Sequence, residues 1–179
     1  MSLIRVWSRR RVVASALSMA ALAALPIHAK TATQTQIMKG NDMTHVTAYL
    51  LFDGNCQEAM EFYKVCFGGE LSLTKVKDSP AKDHMPAMQQ SKTINARLKS
   101  GNIEFSASDW LRLDQTRVHG NTVCLYLSGG TFLELKALFG KLSEGAEITD
   151  PLTDIFFGVY GALNDRFGVR WMFQADTRE

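Results

Sequence analysis

Cysteine and histidine are scarce in this 179-residue chain, with three Cys and four His. An odd set of three cysteines cannot build the multi-bridge framework that staples small secreted folds. Cys56 and Cys66 fall on one helix-patterned stretch, roughly 15 Å apart at about 1.5 Å per residue, too far for a bridge. With Cys124 they read as small buried hydrophobes. No CxxC pair and no zinc-type spacing occurs. There is no glycine-rich turn of the dinucleotide type and no GxSxG nucleophile elbow. Long apolar runs are missing too. The longest covers residues 12–25, short of the roughly 20 residues that a membrane-spanning helix needs.

What is present begins with an export-like leader. "MSLIRVWSRRRVVASALSMAALAALPIHAK" carries Arg5, Arg9, Arg10 and Arg11, then a short apolar run, then small residues. That is the layout of a signal peptide over residues 1–29, with a cut after Ala29. "SRRRVV" resembles the twin-arginine signal. The expected location is the periplasm or the exterior; a start at Met43 would make the protein cytoplasmic. The formal net charge of +2 owes its sign to this leader, which contains four Arg and no acid. The remainder is slightly acidic, so nucleic acid is not an expected partner, nor is stable membrane insertion once the leader is removed.

Residues 30–43 are polar, lack periodicity and read as a flexible linker. One pattern is then played twice. "THVTAYLLFDGN" reads as a strand. Asn55 reads as a helix cap, with Glu58 three residues on as its capping-box partner. "CQEAMEFYKVCF" has helical spacing in Cys56, Ala59, Met60, Tyr63 and Phe67. Strand patterns "ELSLTKV", "KTINARLK" and "NIEFSASDW" follow, with residues 77–91 expected as a mobile loop. The replay runs "NTVCLYLS", a Thr131/Glu134 capping box, helix "FLELKALFGKL", then "AEITDPL", "FGVYGAL" and "VRWMFQ". The expected fold is α+β: two βαβββ modules, residues 44–112 and 118–176, whose sheets cover each other's faces.

Paired βαβββ units resemble the vicinal oxygen chelate superfamily (glyoxalase/bleomycin resistance/dioxygenase). "YLLFDGNCQEAMEFYKVCFGGEL", "INARLKSGNIEFSASD" and "YGALNDRFGVRWMF" are similar to its PhnB-like branch. The methyltransferase name often attached to that branch has no counterpart in the residues, since no Rossmann-type turn is present to hold a methyl donor. The resemblance implies that the two modules form a curved mixed sheet around a cleft, in which metal-dependent members seat a divalent ion on His and Glu side chains, a Lewis acid for enolate or oxygen chemistry. Those positions map near Thr47, Glu104, Thr122 and Met172. Only Glu104 binds a hard cation well. His45 lies two residues before Thr47 on the same face, one step outward, and metal binding would need Asp83, His84 or His119 to swing in. No cofactor is therefore expected, with a divalent metal as the alternative. Asn95 stands where many relatives have His.

Strand alternation supplies an independent reading. Ile103, Phe105 and Ala107 oppose Glu104, Ser106 and Ser108. Ile94, Ala96 and Leu98 oppose Asn95 and Arg97. Val123, Leu125 and Leu127 oppose Thr122, Cys124 and Tyr126. Val169, Trp171 and Phe173 oppose Arg170, Met172 and Gln174. The apolar faces are expected under the helices. The other faces read either as half-solvated sheet surface or, as the resemblance implies, as lining of the cleft, and the charges of the "NDRFG" turn are expected in the cleft or in solvent. The candidate ligand-binding residues are Thr47, Tyr49, Asn95, Arg97, Glu104, Ser106, Thr122, Tyr126 and Arg170. Arg97 and Arg170 would clamp a carboxylate or phosphonate. Glu104 would serve as a base if burial raised its pKa. Tyr49, Tyr126, Trp110 and Tyr160 are stacking candidates.

The expected function is binding of a small polar or aromatic molecule without metal, by a chain that forms a homodimer as this fold commonly does. The alternatives are a metal-dependent lyase, isomerase or dioxygenase, and a non-catalytic dimeric interaction protein.

Overall fold

The computed structural model describes residues 44–176. The signal peptide expected over residues 1–29 and the linker over 30–43 lie outside the described residues. The order is β1 (Ala48–Phe52), α1 (Cys56–Phe67), β2 (Glu70–Lys75), β3 (Thr93–Ser100) and β4 (Ile103–Asp109). It then repeats as β5 (Leu125–Ser128), α2 (Phe132–Leu142), β6 (Glu147–Ile155), β7 (Gly158–Asn164) and β8 (Arg170–Ala175). Each module closes its own four-stranded sheet, β1-β4-β3-β2 and β5-β8-β7-β6. In each, the first strand lies parallel to the last and the other pairs are antiparallel. The doubled α+β architecture is thus present.

Helical spacing puts Cys56, Ala59, Met60 and Tyr63 on one fully buried stripe of α1, joined by Phe62 and Cys66. The opposing strand faces answer with Ala96, Leu98, Phe105 and Ala107 from module one and Trp171 and Phe173 from module two. One continuous core therefore serves both modules. Tyr63 meets Phe105 at 5.5 Å and Trp171 at 5.7 Å between ring centroids, both edge-on. Each such pair adds about 0.5–1.5 kcal/mol beyond the area it buries.

The capping of α1 differs from expectation. Asn55 makes no side-chain cap hydrogen bond. The cap comes from the end of β4: Asp109 Oδ1 accepts from the Cys56 amide at 2.9 Å, and its Oδ2 accepts from the Thr93 amide at 2.7 Å. One buried carboxylate thus satisfies an orphan helix donor and the first amide of β3. The α2 capping box forms as read, with the Glu134 amide donating to Thr131 Oγ1 and the Thr131 amide to Glu134 Oε2.

Residues 77–91, expected as a mobile loop, form ordered turns. Three single-turn 3-10 helices, Val76–Asp78, Lys82–His84 and Ala87–Gln89, are linked by backbone hydrogen bonds. Val76 and Gln89 anchor them in the interior, and Gln89 Nε2 donates to Leu111 O at 2.8 Å.

Alternation breaks at three places. The register of β3 jumps from Asn95 to Thr93, so Thr93 is fully buried and Ile94 is not. The strand expected from Asn121 starts only at Leu125, leaving Val123 79% exposed. Strand β6 runs on through Pro151 to Ile155, with register shifts on either side of Asp150. Pro151 has no amide to donate, and the sheet edge is where a strand tolerates that.

The terminal "NDRFG" turn is the fourth departure. Its charges were expected in the cleft or in solvent, yet Asp165 is buried. Its Oδ2 accepts from Tyr63 Oη at 2.6 Å and Trp171 Nε1 at 2.8 Å; its Oδ1 accepts from the Phe167 and Val169 amides at 2.9 and 3.0 Å. A carboxylate with four donors is the form in which such a charge survives burial.

Candidate functional site

The strand faces turned away from the helices carry most of the polar candidates. On β1, Tyr49 and Leu51 are exposed while Ala48, Leu50 and Phe52 pack into the core. Tyr49 pairs with Ser106, and Ser106 with Arg97. Arg97 is already engaged: its Nε and Nη2 donate to one oxygen, Glu104 Oε1, at 2.9 and 2.5 Å. That hydrogen bond holds the Glu104 carboxyl below its usual range. The expectation that burial would raise Glu104 into the range of a base is thus corrected, because the guanidinium outweighs desolvation.

On module two, the Tyr126 hydroxyl donates to Gln174 Oε1, and Cys124 Sγ to Met172 Sδ at 2.9 Å. Tyr160 is half-buried on β7, and burial, with Asp150 nearby, pushes its hydroxyl up.

A cleft of about 620 Å³ lies between β1, the segment joining the modules and the turn before β8. Its walls are largely apolar: Tyr49, Leu51, Trp110, Val118, Val123 and Phe167. Arg117, His119 and Arg170 bring polar groups to it. Arg117 is fixed by its Nη1 donating to Leu51 O at 3.1 Å and by an Nη2 contact with His119 Nε2. Its Nε is buried with no hydrogen-bond partner among the described residues. The Trp110 indole donates to Gln115 O at 2.8 Å, which sets the ring's plane. A more polar hollow of about 800 Å³ adjoins, sharing His119, Gly120, Gly168 and Arg170.

The sequence-selected residues therefore separate into groups. Tyr49 and Arg170 line the cleft, as does Trp110. Asn95, Arg97, Glu104 and Ser106 occupy neighbouring positions on β3 and β4 and do not line it. Tyr126 sits on β5 beside Met172. Thr47 and Thr122 are exposed ahead of β1 and β5. Arg117 was missed. It lies in a connecting segment without periodicity, where nothing in the pattern distinguishes it from a solvated charge.

The positions that would hold a divalent ion do not fit one. Thr47, Thr122 and Met172 offer weak or soft donors, and Glu104 is occupied by Arg97. Asp83 and His84 are exposed on the second 3-10 turn, and His119 lies beside Arg117. Among the described residues, no three His, Cys, Asp or Glu side chains gather into a possible metal site.

The family model described as 3-demethylubiquinone-9 3-methyltransferase matches residues 44–174. The chain belongs to this family. Protein PA1353 from Pseudomonas aeruginosa, of known structure, is 31% identical over 75% of this chain and 99% of its own, with a TM-score of 0.68. The PhnB protein of Bacillus cereus is 25% identical over 74% of this chain and 99% of its own, at TM-score 0.59. A glyoxylase/bleomycin resistance protein/dioxygenase domain from Frankia sp. EAN1pec, 15% identical over 75% of this chain and 93% of its own at TM-score 0.51, shares the fold. The PhnB-like assignment and the superfamily fold thus stand. Among the described residues, no helix of this PhnB-like chain is long and apolar enough to cross a membrane.

Proposed function

We propose that this PhnB-like protein binds a small molecule in the cleft between β1 and the turn before β8, without a resident divalent metal. The observation that carries the reading is the cleft itself: about 620 Å³, walled by aromatic and aliphatic side chains, with a few convergent polar groups. That size and mixture suit a small organic ligand. The ill-fitting donor set at Thr47, Glu104, Thr122 and Met172 supports independence from a hard cation. Methyl transfer finds no support, because no glycine-rich turn is present to seat a methyl donor.

The chemistry open to this site is retention rather than turnover. Tyr49 and Trp110 offer faces for stacking, and Leu51, Val118 and Val123 exclude water from an apolar body. Ligand-observed NMR with a panel of small aromatic and polar compounds tests the reading, using chelator-treated protein. Compounds that bind should lose about tenfold or more in affinity in Tyr49→Ala and in Val123→Trp, which fills the cleft. Binding that disappears with the chelator, or that ignores both substitutions, would overturn it.

A further inference from the structure

We infer that the ligand of this cleft carries an oxyanion on an apolar body, and that Arg117 and Arg170 recognise it; this rests on the cleft being the binding site. No Asp or Glu lines the cleft, while two arginines and a histidine do. Neither Arg117 nor Arg170 takes part in the Arg97–Glu104 or Arg166–Glu144 ion pair. The carboxylates that share a hollow with them, Asp53 with Arg117 and Glu147 and Asp165 with Arg170, lie outside the cleft lining.

The two arginines differ in how they are held. Arg117 spends Nη1 on Leu51 O and touches His119 with Nη2, leaving a buried Nε with no acceptor among the described residues. A buried donor without an acceptor is a standing cost that a ligand oxygen would remove. The Arg170 guanidinium makes no hydrogen bond or ion pair among the described residues. The acids around it are engaged: in the adjoining hollow, Glu147 by Asn164 Nδ2 at 3.0 Å and Asp165 by its four donors, and beside Tyr160, Asp150 by Thr149 Oγ1 at 3.0 Å. Guanidinium groups favour oxyanions that can accept two parallel N–H bonds, such as carboxylate or phosphonate. The apolar lining, with Tyr49, Leu51 and Val123, selects an apolar body over a free inorganic anion.

Titration calorimetry with 2-naphthoate, its uncharged amide 2-naphthamide, phenylphosphonate and inorganic phosphate tests the inference on the full chain. The expected order is 2-naphthoate about tenfold or more tighter than 2-naphthamide, with phenylphosphonate tighter than phosphate by a similar factor. Arg170→Gln and Arg117→Gln should each bring the acid and the amide to within about twofold, and Arg117→Lys should restore part of the preference. Acid and amide binding equally in the parent protein overturns the oxyanion inference while leaving the cleft as a binding site. Phosphate binding as well as phenylphosphonate overturns the apolar-body half. Binding of none of the four overturns the inference together with the cleft reading. Because Arg170 anchors no other described residue, its variant also separates loss of recognition from loss of fold.

Discussion

The Tyr63 hydroxyl donates to Asp165 Oδ2 at 2.6 Å, joining α1 of the first module to the last turn of the second across 102 residues of chain. Burial, with the Asp165 charge beside it, pushes the Tyr63 hydroxyl far above the usual phenol range, so it stays a donor at every physiological pH. Tyr63→Phe removes one of four donors from a buried carboxylate and should lower unfolding stability by about 1–3 kcal/mol. Asp165→Ala, which strands all four, should do more damage. Urea denaturation measures both, and a Tyr63→Phe midpoint equal to the parent's would show that this link contributes nothing.

The cap of α1 gives a paired comparison. Asp109→Ala strands the buried amides of Cys56 and Thr93, for a loss of about 2–4 kcal/mol. Asn55→Ala, at a residue with no side-chain cap bond, should change stability by no more than about 0.5 kcal/mol. The reverse order in thermal or chemical denaturation would return the cap to Asn55.

That pair also shows where legibility stopped. The doubled order of elements was readable because it rests on local signals: period-two strands, the Cys56–Phe67 spacing, the Thr131/Glu134 box. Asp109 was not readable as a cap, since it lies 53 residues from the amide it accepts from. Asp165 looked like a turn charge for the same reason; its partners Tyr63 and Trp171 are assembled only by the fold. In the site, Arg170 was within reach because alternation put it on the outward face of its strand, and Tyr49 because it was a stacking candidate. Arg97 and Glu104 were equally visible, but alternation does not say that they satisfy each other. Arg117 left no trace, because its role depends on where an aperiodic connection crosses β1.

Thiol reactivity should divide the cysteines. Cys56 and Cys66 are buried, and burial pushes their thiols up to about 12 and about 11. Cys124 is half-buried on the cleft wall. A thiol reagent at mild alkaline pH should label Cys124 alone in the native protein and all three in urea. Labelling of Cys66 without denaturant would contradict the packing of α1.

The same two thiols predict an alkaline limit. Unfolded, each titrates near its ordinary 9.0; folded, they hold their protons to about 11 and about 12. Below about pH 9 both states are protonated and these groups add no pH dependence. Above it the unfolded state sheds protons first and binds fewer than the native state, so stability falls as pH rises toward the folded values. Cys56→Ala with Cys66→Ala should flatten that decline between about pH 9 and 11, read from urea midpoints at each pH. An unchanged slope would place the alkaline loss elsewhere.

Arg97 and Glu104 allow a spectroscopic check. Their hydrogen bond holds the Glu104 carboxyl low, so Arg97→Gln should move its titration upward, followed by carboxyl carbon NMR. The same variant should leave binding at the cleft within about twofold, as the pair does not line it. A titration that stays put would mean the pair does not persist in solution.

Sharing one aromatic core between the modules has a kinetic consequence. During synthesis the first half leaves the ribosome with Tyr63 and Phe105 able to pack on each other but without Trp171 and the Asp165 turn, which have yet to be made. Contacts between residues so distant along the chain form late and slow assembly, so the nascent half must be shielded from aggregation until the last strands arrive. Co-expressing the halves as separate polypeptides should therefore yield soluble protein where either half alone precipitates.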